Sequence, residues 1–218
     1  MSETAPDGCA GGSGAIYDFL VQRPCLMYVV GRTVWGIDTS VLYRSIARLS
    51  SAEHVTILDV PCGGGLAFRA LRPGQEIRYV ASDSSSKMIA RAERRARKRS
   101  LDQVEFTVAD MKRVPLRSGE ADVVLCYSGL HLLHDPREAL GEFARCLRPG
   151  GVLTGTTFFL DDLSRRARTL FQRGARRGGA MPPEREELFV CLEESGFCEP
   201  TIGPQPGFAA FSARRGDA

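Results

Sequence analysis

The chain is short of several things at once, and each shortage removes a class of answer. It has one tryptophan and three histidines, and its lysines are only Lys87, Lys98 and Lys112 among 29 basic residues. No stretch approaches the roughly 20 apolar residues of a membrane-spanning helix, so no span is expected. The seven cysteines, at 9, 25, 62, 126, 146, 191 and 198, contain no Cys-x-x-Cys pair. An odd count without paired spacing points to neither a disulfide scaffold nor a zinc site, and no metal is assigned. The first residues show no basic segment leading into an apolar one, so the expectation is a cytoplasmic chain without a secretory leader. A formal charge of +3 is too small to imply a nucleic-acid partner.

What is present suits one domain with its own core. The chain has 218 residues, 43% hydrophobic and 25% charged, which is too few for two full domains. Residues 1–14 are rich in Gly, Ser and Ala and are expected to be a disordered tail. Residues 15–52 carry Tyr17, Phe19, Tyr28 and Trp35, then Val41, Leu42, Ile46 and Leu49 at helical spacing. Two or three helices are expected there. From residue 53 to 218 strand and helix patterns alternate, which predicts a parallel sheet with right-handed crossovers. Asp135, Pro136 and Glu138 read as a helix start with a capping box.

The strongest local signal is Ile57-Leu-Asp59-Val-Pro61-Cys62-Gly63-Gly64-Gly65. An apolar run ends in a small-residue turn before a helical pattern, the place where a parallel sheet binds a nucleotide-like ligand. Glycines let the backbone approach such a ligand closely. A second strand, Ile77 to Ser82, delivers Asp83, suited to accept hydrogen bonds from both hydroxyls of a ribose. A third, Val104 to Val108, leads to Asp110 and Met111, an acceptor for an adenine amino group beside an apolar side chain. Together they describe a pocket for an adenosine. A dinucleotide fingerprint would need a small residue at the third glycine position, where Phe68 stands, and no second mononucleotide half follows.

These residues resemble the class I S-adenosylmethionine-dependent methyltransferases of the ubiquinone/menaquinone-biosynthesis and small-molecule type. The resemblance runs from about Ile57 to Leu153. It takes in the glycine turn, Asp83-Ser84 through Met88, Asp110-Met111, Ala121 to His131 around Tyr127, and Leu147-Arg-Pro-Gly-Gly-Val-Leu153. One departure is Pro61, where most members carry glycine; proline fixes φ and removes an N–H.

The resemblance implies a doubly wound, Rossmann-like sheet of seven mostly parallel strands, the last antiparallel, with helices on both faces. It implies S-adenosylmethionine as cofactor and S-adenosylhomocysteine as product, with contacts from Asp59, Pro61, Cys62, Gly63, Gly65, Asp83, Ser84, Met88, Asp110, Met111 and Tyr127. In such enzymes an N-terminal segment often covers the pocket, which makes Tyr17, Tyr28 and Trp35 candidate substrate-wall residues. His131, just past the fourth strand, is the candidate general base and a further substrate contact.

The expected reaction is methyl transfer to a small apolar or aromatic acceptor such as a phenol, quinol or secondary metabolite. A basic, lid-like insertion at 161–181 carries Arg165, Arg166, Arg168, Arg173, Arg176 and Arg177. It keeps two alternatives open: an RNA or protein methyltransferase docking through that cluster, and a cofactor-binding module without turnover.

Overall fold

A computed structural model describes residues 18–217. Strand β1 (Thr56–Asp59) lies at the centre of the sheet, with Ile57 and Leu58 fully buried. An apolar run covered on both faces is what a central parallel strand requires. On one side follow β2 (Arg78–Asp83) and β3 (Val104–Val108); on the other, β4 (Ala121–Tyr127) and β5 (Leu147–Phe158). Strands β6 (Phe197–Ile202) and β7 (Phe208–Arg215) complete a seven-stranded sheet of order β3-β2-β1-β4-β5-β7-β6. Only β7 runs antiparallel to its neighbours, pairing Phe158 with Phe208 and Phe197 with Arg215. The strand order reverses between β1 and β4, and at such a switch point the carboxyl ends of the two strands open a crevice.

Helices close both faces. Against one lie α2 (Ser40–Ala47), through Val41, Leu42 and Ile46, and α3 (Ser86–Lys98), through Ile89, Ala92 and Ala96. Against the other lie α4 (Arg137–Cys146), through Ala139, Leu140 and Phe143, and α6 (Arg185–Glu194), through Leu188, Cys191 and Leu192. Each fully buried Leu or Phe contributes about 1.5–3 kcal/mol relative to exposure. The six described cysteines are free, four of them buried.

The segment before the sheet is helical: α1 (Pro24–Val30) passes into a π-helical turn, Gly31–Trp35, ahead of α2. The basic insertion contains helix α5 (Arg165–Ala175), started by the Ser164 hydroxyl accepting the Ala167 N–H at 3.2 Å.

One local expectation differs. Helix α4 starts at Arg137 without a capping box: Asp135 Oδ1 accepts the Arg137 N–H at 2.9 Å, while Glu138 pairs with Lys112. The box occurs instead on α6, where Glu184 and Glu187 cap each other's backbone. Here a charge partner outside the helix took the side chain that local pattern would assign to the cap.

Candidate active site

The glycine turn is built from β1 outward. Cys62 N–H donates to Ser82 O at 2.8 Å, tying the turn to the end of β2. Gly63 N–H then donates to Asp83 Oδ2, and Ser85 N–H to Asp83 Oδ1, both at 2.9 Å. Asp83 is thereby fixed at the crevice edge, 7% exposed. Burial pushes its carboxyl above the usual carboxylate range, against the two N–H groups that hold it down. Each oxygen has accepted one hydrogen bond and keeps a second lone pair.

The glycines do different jobs. Gly63 has φ +53° and a Cβ there would meet nothing within 4 Å, so open space lies over the turn. At Gly65, with φ +79°, a Cβ would fall 2.4 Å from the Phe68 ring. Gly65 is small because Phe68 packs on it. That ring is fully buried and stands edge-on to Tyr79 and Phe106, at 5.6 and 6.1 Å between centroids. Phe68, the residue that breaks the dinucleotide fingerprint, is thus a core side chain. Gly64 presses on the Asp18 carboxylate, which is paired with Arg91 at 3.6 Å and Arg95 at 3.8 Å. Arg91 and Arg95, on α3, thus hold Asp18 against the glycine turn.

Asp59 sits beneath the turn and is 2% exposed. Tyr79 Oη donates to Asp59 Oδ2 at 2.8 Å. Burial lifts Asp59 to about 7, the Tyr79 hydrogen bond opposes the shift, and the nearby Asp83 adds to it. One carboxylate oxygen is spent inside the protein, so this acid supports the turn from below. Cys62 and Tyr127 are buried beside it, and burial pushes both upward in pKa. Ser84 follows Asp83 directly and is exposed; a Cβ on Gly129 would meet Pro61 Cδ at 2.5 Å, so the turns after β1 and β4 touch.

Ala109 N–H donates to Asp83 O at 3.1 Å, which brings the β3 end alongside Asp83. Asp110 is exposed and closes its own turn by accepting the Lys112 N–H at 3.0 Å. Met111 packs against the core on the α4 face, and Met88 is half-buried in the first turn of α3.

Across the crevice lies an aromatic cluster. His131, in the short 3-10 turn Leu130–Leu132, is 9% exposed and stands edge-on to Phe158 at 4.9 Å and Phe171 at 6.1 Å. Phe158 also meets Trp35 at 6.0 Å, Phe171 at 5.1 Å and Phe208 at 4.9 Å. Burial drops the His131 imidazole to about 4, and its Nδ1 has no hydrogen-bond partner. Ser128 and Thr156, at the ends of β4 and β5, likewise have buried hydroxyls without partners. A neutral imidazole with an unused nitrogen, walled by rings, suits an apolar ligand carrying one hydroxyl or amine.

The structure thus gathers Asp59, Pro61, Cys62, Gly63, Gly65, Asp83 and Tyr127 about one turn, and His131 with Trp35 about Phe158. Tyr28 is not with them: it is 44% exposed in a separate groove with Tyr43 and Arg44. α1 turns that ring outward while burying Met27. Tyr17 and the 1–14 tail lie outside the described residues. Sequence reasoning missed Phe158, Phe171 and Phe208. Phe158 ends β5 two residues beyond Thr156, which lies opposite Tyr127, a signal that was available; Phe171 lies in an arginine-rich helix whose charge masks its single inward ring.

Among known proteins, residues 58–154 match the family described as "Methyltransferase domain". The chain is 32% identical over 73% of its length to 27-O-demethylrifamycin SV methyltransferase of Amycolatopsis mediterranei, covering 61% of that protein. It is 37% identical over 57% of its length to demethylmenaquinone methyltransferase of Thermus thermophilus, covering 56% of it. Against other curated relatives the chain spans less, 32% and 31% of two uncharacterized chloroplastic methyltransferases of Arabidopsis thaliana. A solved structure of Haemonchus contortus phosphoethanolamine N-methyltransferase 2 bound to S-adenosyl-L-methionine superposes with a TM-score of 0.73. It shares 13% identity over 94% of this chain and 57% of that one. At that identity the likeness is one of fold.

Proposed function

We propose that this protein, whose residues 58–154 match the family described as "Methyltransferase domain", transfers a methyl group from S-adenosylmethionine to a small apolar or aromatic acceptor bearing a hydroxyl or amine. The observation that carries the reading is the bond from Gly63 N–H to Asp83 Oδ2, with open space above Gly63. It fits an adenosine: a close-approach backbone for the ligand and a fixed carboxylate with spare lone pairs for ribose hydroxyls. Asp110 and Met111 would flank the adenine from the adjoining strand end, with Ser84 and Met88 beyond the ribose.

The bound cofactor supplies an already activated methyl on a sulfonium. The protein's share is to hold the acceptor in line and dry. Holding reactants in a near-attack geometry is worth about 7–11 kcal/mol of barrier. Phe158, Phe171 and Trp35 exclude water from the acceptor side, and His131 Nδ1 would accept the hydrogen bond of the acceptor's O–H or N–H. That imidazole is neutral at physiological pH, so it is free to accept, and it takes the proton as the acceptor becomes nucleophilic. The segment 18–52 contributes Trp35 to this wall, and α5 contributes Phe171. Four buried free thiols suit a reducing, cytoplasmic setting. Relatives named for menaquinone and rifamycin methylation support a ring-bearing acceptor. The test is a panel of phenolic and quinol acceptors with labelled cofactor. Transfer to apolar rings, lost in Asp83→Ala, is the expected outcome; transfer only to RNA or protein would replace the acceptor class.

A further inference from the structure

The outward face of the N-terminal helical segment is apolar where a surface helix is ordinarily polar. Of Pro24–Trp35 only Met27 and Gly31 are buried. Leu26, Tyr28, Val29 and Val34 are 39%, 44%, 55% and 43% exposed. With Phe19 they make five of the nine large apolar side chains exposed among the described residues, a concentration well beyond scattered surface leucines.

A basic element adjoins this face. Ser164 Oγ, at the head of α5, donates to Trp35 O at 3.2 Å. On α5 itself Ala167 is buried and Phe171 turns inward, while Arg166, Leu170 and Arg173 fall at helical spacing along one flank, Leu170 being 42% exposed; Arg177 follows in the turn that ends the helix. From Leu163 to Pro183 the sequence has no acid, and from Pro24 to Ser51 only Asp38. Arg165, Arg166, Arg173, Arg176 and Arg177 form no ion pair with a carboxylate among the described residues, while Arg32 lies near enough to Asp38 to lower its pKa. Arginines three and four apart on one helix repel one another, so the charge is costly unless an outside anion meets it.

We propose that α1, the π-helical turn and α5 together dock the protein on an anionic lipid bilayer. Leu26, Val29 and Val34 enter the headgroup–acyl boundary and the arginines meet lipid phosphates. Charge complementarity selects this occupant. A second copy would set this arginine-rich surface against itself with few acids to offset it: Asp38, which already faces Arg32 and Arg44, and Asp161 and Asp162 just before α5, the latter paired with Arg185. A nucleic acid would answer the arginines and leave the aliphatic side chains facing water. Trp35 ends the docking segment and touches Phe158, so the aromatic cluster opens beside the membrane. Resting on the proposed function, this makes the acceptor a bilayer-dissolved molecule.

The test is flotation of the full chain with phosphatidylcholine vesicles, with and without about 30 mol% phosphatidylglycerol. Expected is flotation with the anionic vesicles, at least tenfold weaker on neutral ones and at high salt. The triple change Arg166→Gln, Arg173→Gln, Arg177→Gln weakens it about a hundredfold, at about fivefold per arginine. Leu26→Gln with Val29→Gln weakens it about tenfold or more. Calorimetric binding of S-adenosylmethionine stays unchanged in both variants, so a failed methyltransferase reading and a failed docking reading show separately. Absence of flotation, or equal flotation on neutral vesicles, overturns the proposal. So does indifference to the aliphatic pair, which points to a polyanion, or a dimer abolished by that pair without vesicle binding, which makes a second copy the occupant.

Discussion

Replacing His131 with phenylalanine should make the protein more stable and less active, with a stabilisation that grows as pH falls. His131 is buried among Phe158 and Phe171 with an unpartnered Nδ1, and a buried unsatisfied polar atom costs about 1–3 kcal/mol. A phenyl ring removes that atom and keeps the edge-on ring contacts. The pH term follows from the imidazole standing near 4 when folded, against 6.5 when unfolded, because burial disfavours its charged form. Below 6.5 the unfolded chain takes up a proton that the folded one refuses, so wild-type stability falls with pH down to about 4. By pH 5 the loss is about 2 kcal/mol at ~1.4 kcal/mol per unit. Asp59 runs the other way: its carboxyl, raised to about 7, binds a proton in the folded state first, so its contribution is full at low pH and fades as pH rises toward 7. The two partly cancel in the wild type, which is why the variant is needed to see either. Urea unfolding at pH 7 and pH 5 should show a gap between variant and wild type wider by about 2 kcal/mol at the lower pH. Parallel pH dependences would refute the reasoning. Methyl transfer to a hydroxyl acceptor should fall about 10²–10⁴-fold if His131 takes the proton.

Three further outcomes are expected. Tyr79→Phe leaves the buried Asp59 carboxyl without its hydroxyl partner at 2.8 Å and should cost about 1–3 kcal/mol of stability in chemical denaturation, whereas Asp59→Asn, which can still accept that bond, should cost less. Gly155→Ala should fail to fold or lose several kcal/mol, because the new Cβ would lie 2.0 Å from Cys126 O on the neighbouring strand; a soluble variant with wild-type Tm would contradict the packing. Gly65→Ala should lose about 1–3 kcal/mol through the clash with Phe68 and its positive φ, and adding Phe68→Leu should recover part of that loss.

The sheet was legible because central parallel strands must be apolar on both faces. Ile57–Leu58, Val80–Ala81 and Val124–Leu125 leave no other reading, and the glycine turn and Asp83 follow from where those strands end. Helix starts were less so: Glu138 turned to Lys112, a partner no local window contains. The aromatic cluster was least legible, since it joins residues 35, 131, 158, 171 and 208 from five segments. Periodicity shows that a ring is buried; only the crossing of segments shows against what. The outward face of α1 was hidden for the same reason, since its apolar content reads as core until the fold leaves it uncovered.

The central claim, that the Gly63–Asp83 corner holds the adenosine of S-adenosylmethionine, is tested most directly by calorimetric titration of wild type and Asp83→Ala. S-adenosylmethionine, S-adenosylhomocysteine and NADH are the three ligands. The account predicts that the two sulfur compounds bind the folded wild type, that NADH does not, and that Asp83→Ala loses binding while keeping its fold. NADH binding, or sulfur-compound affinity unchanged in Asp83→Ala, would contradict it.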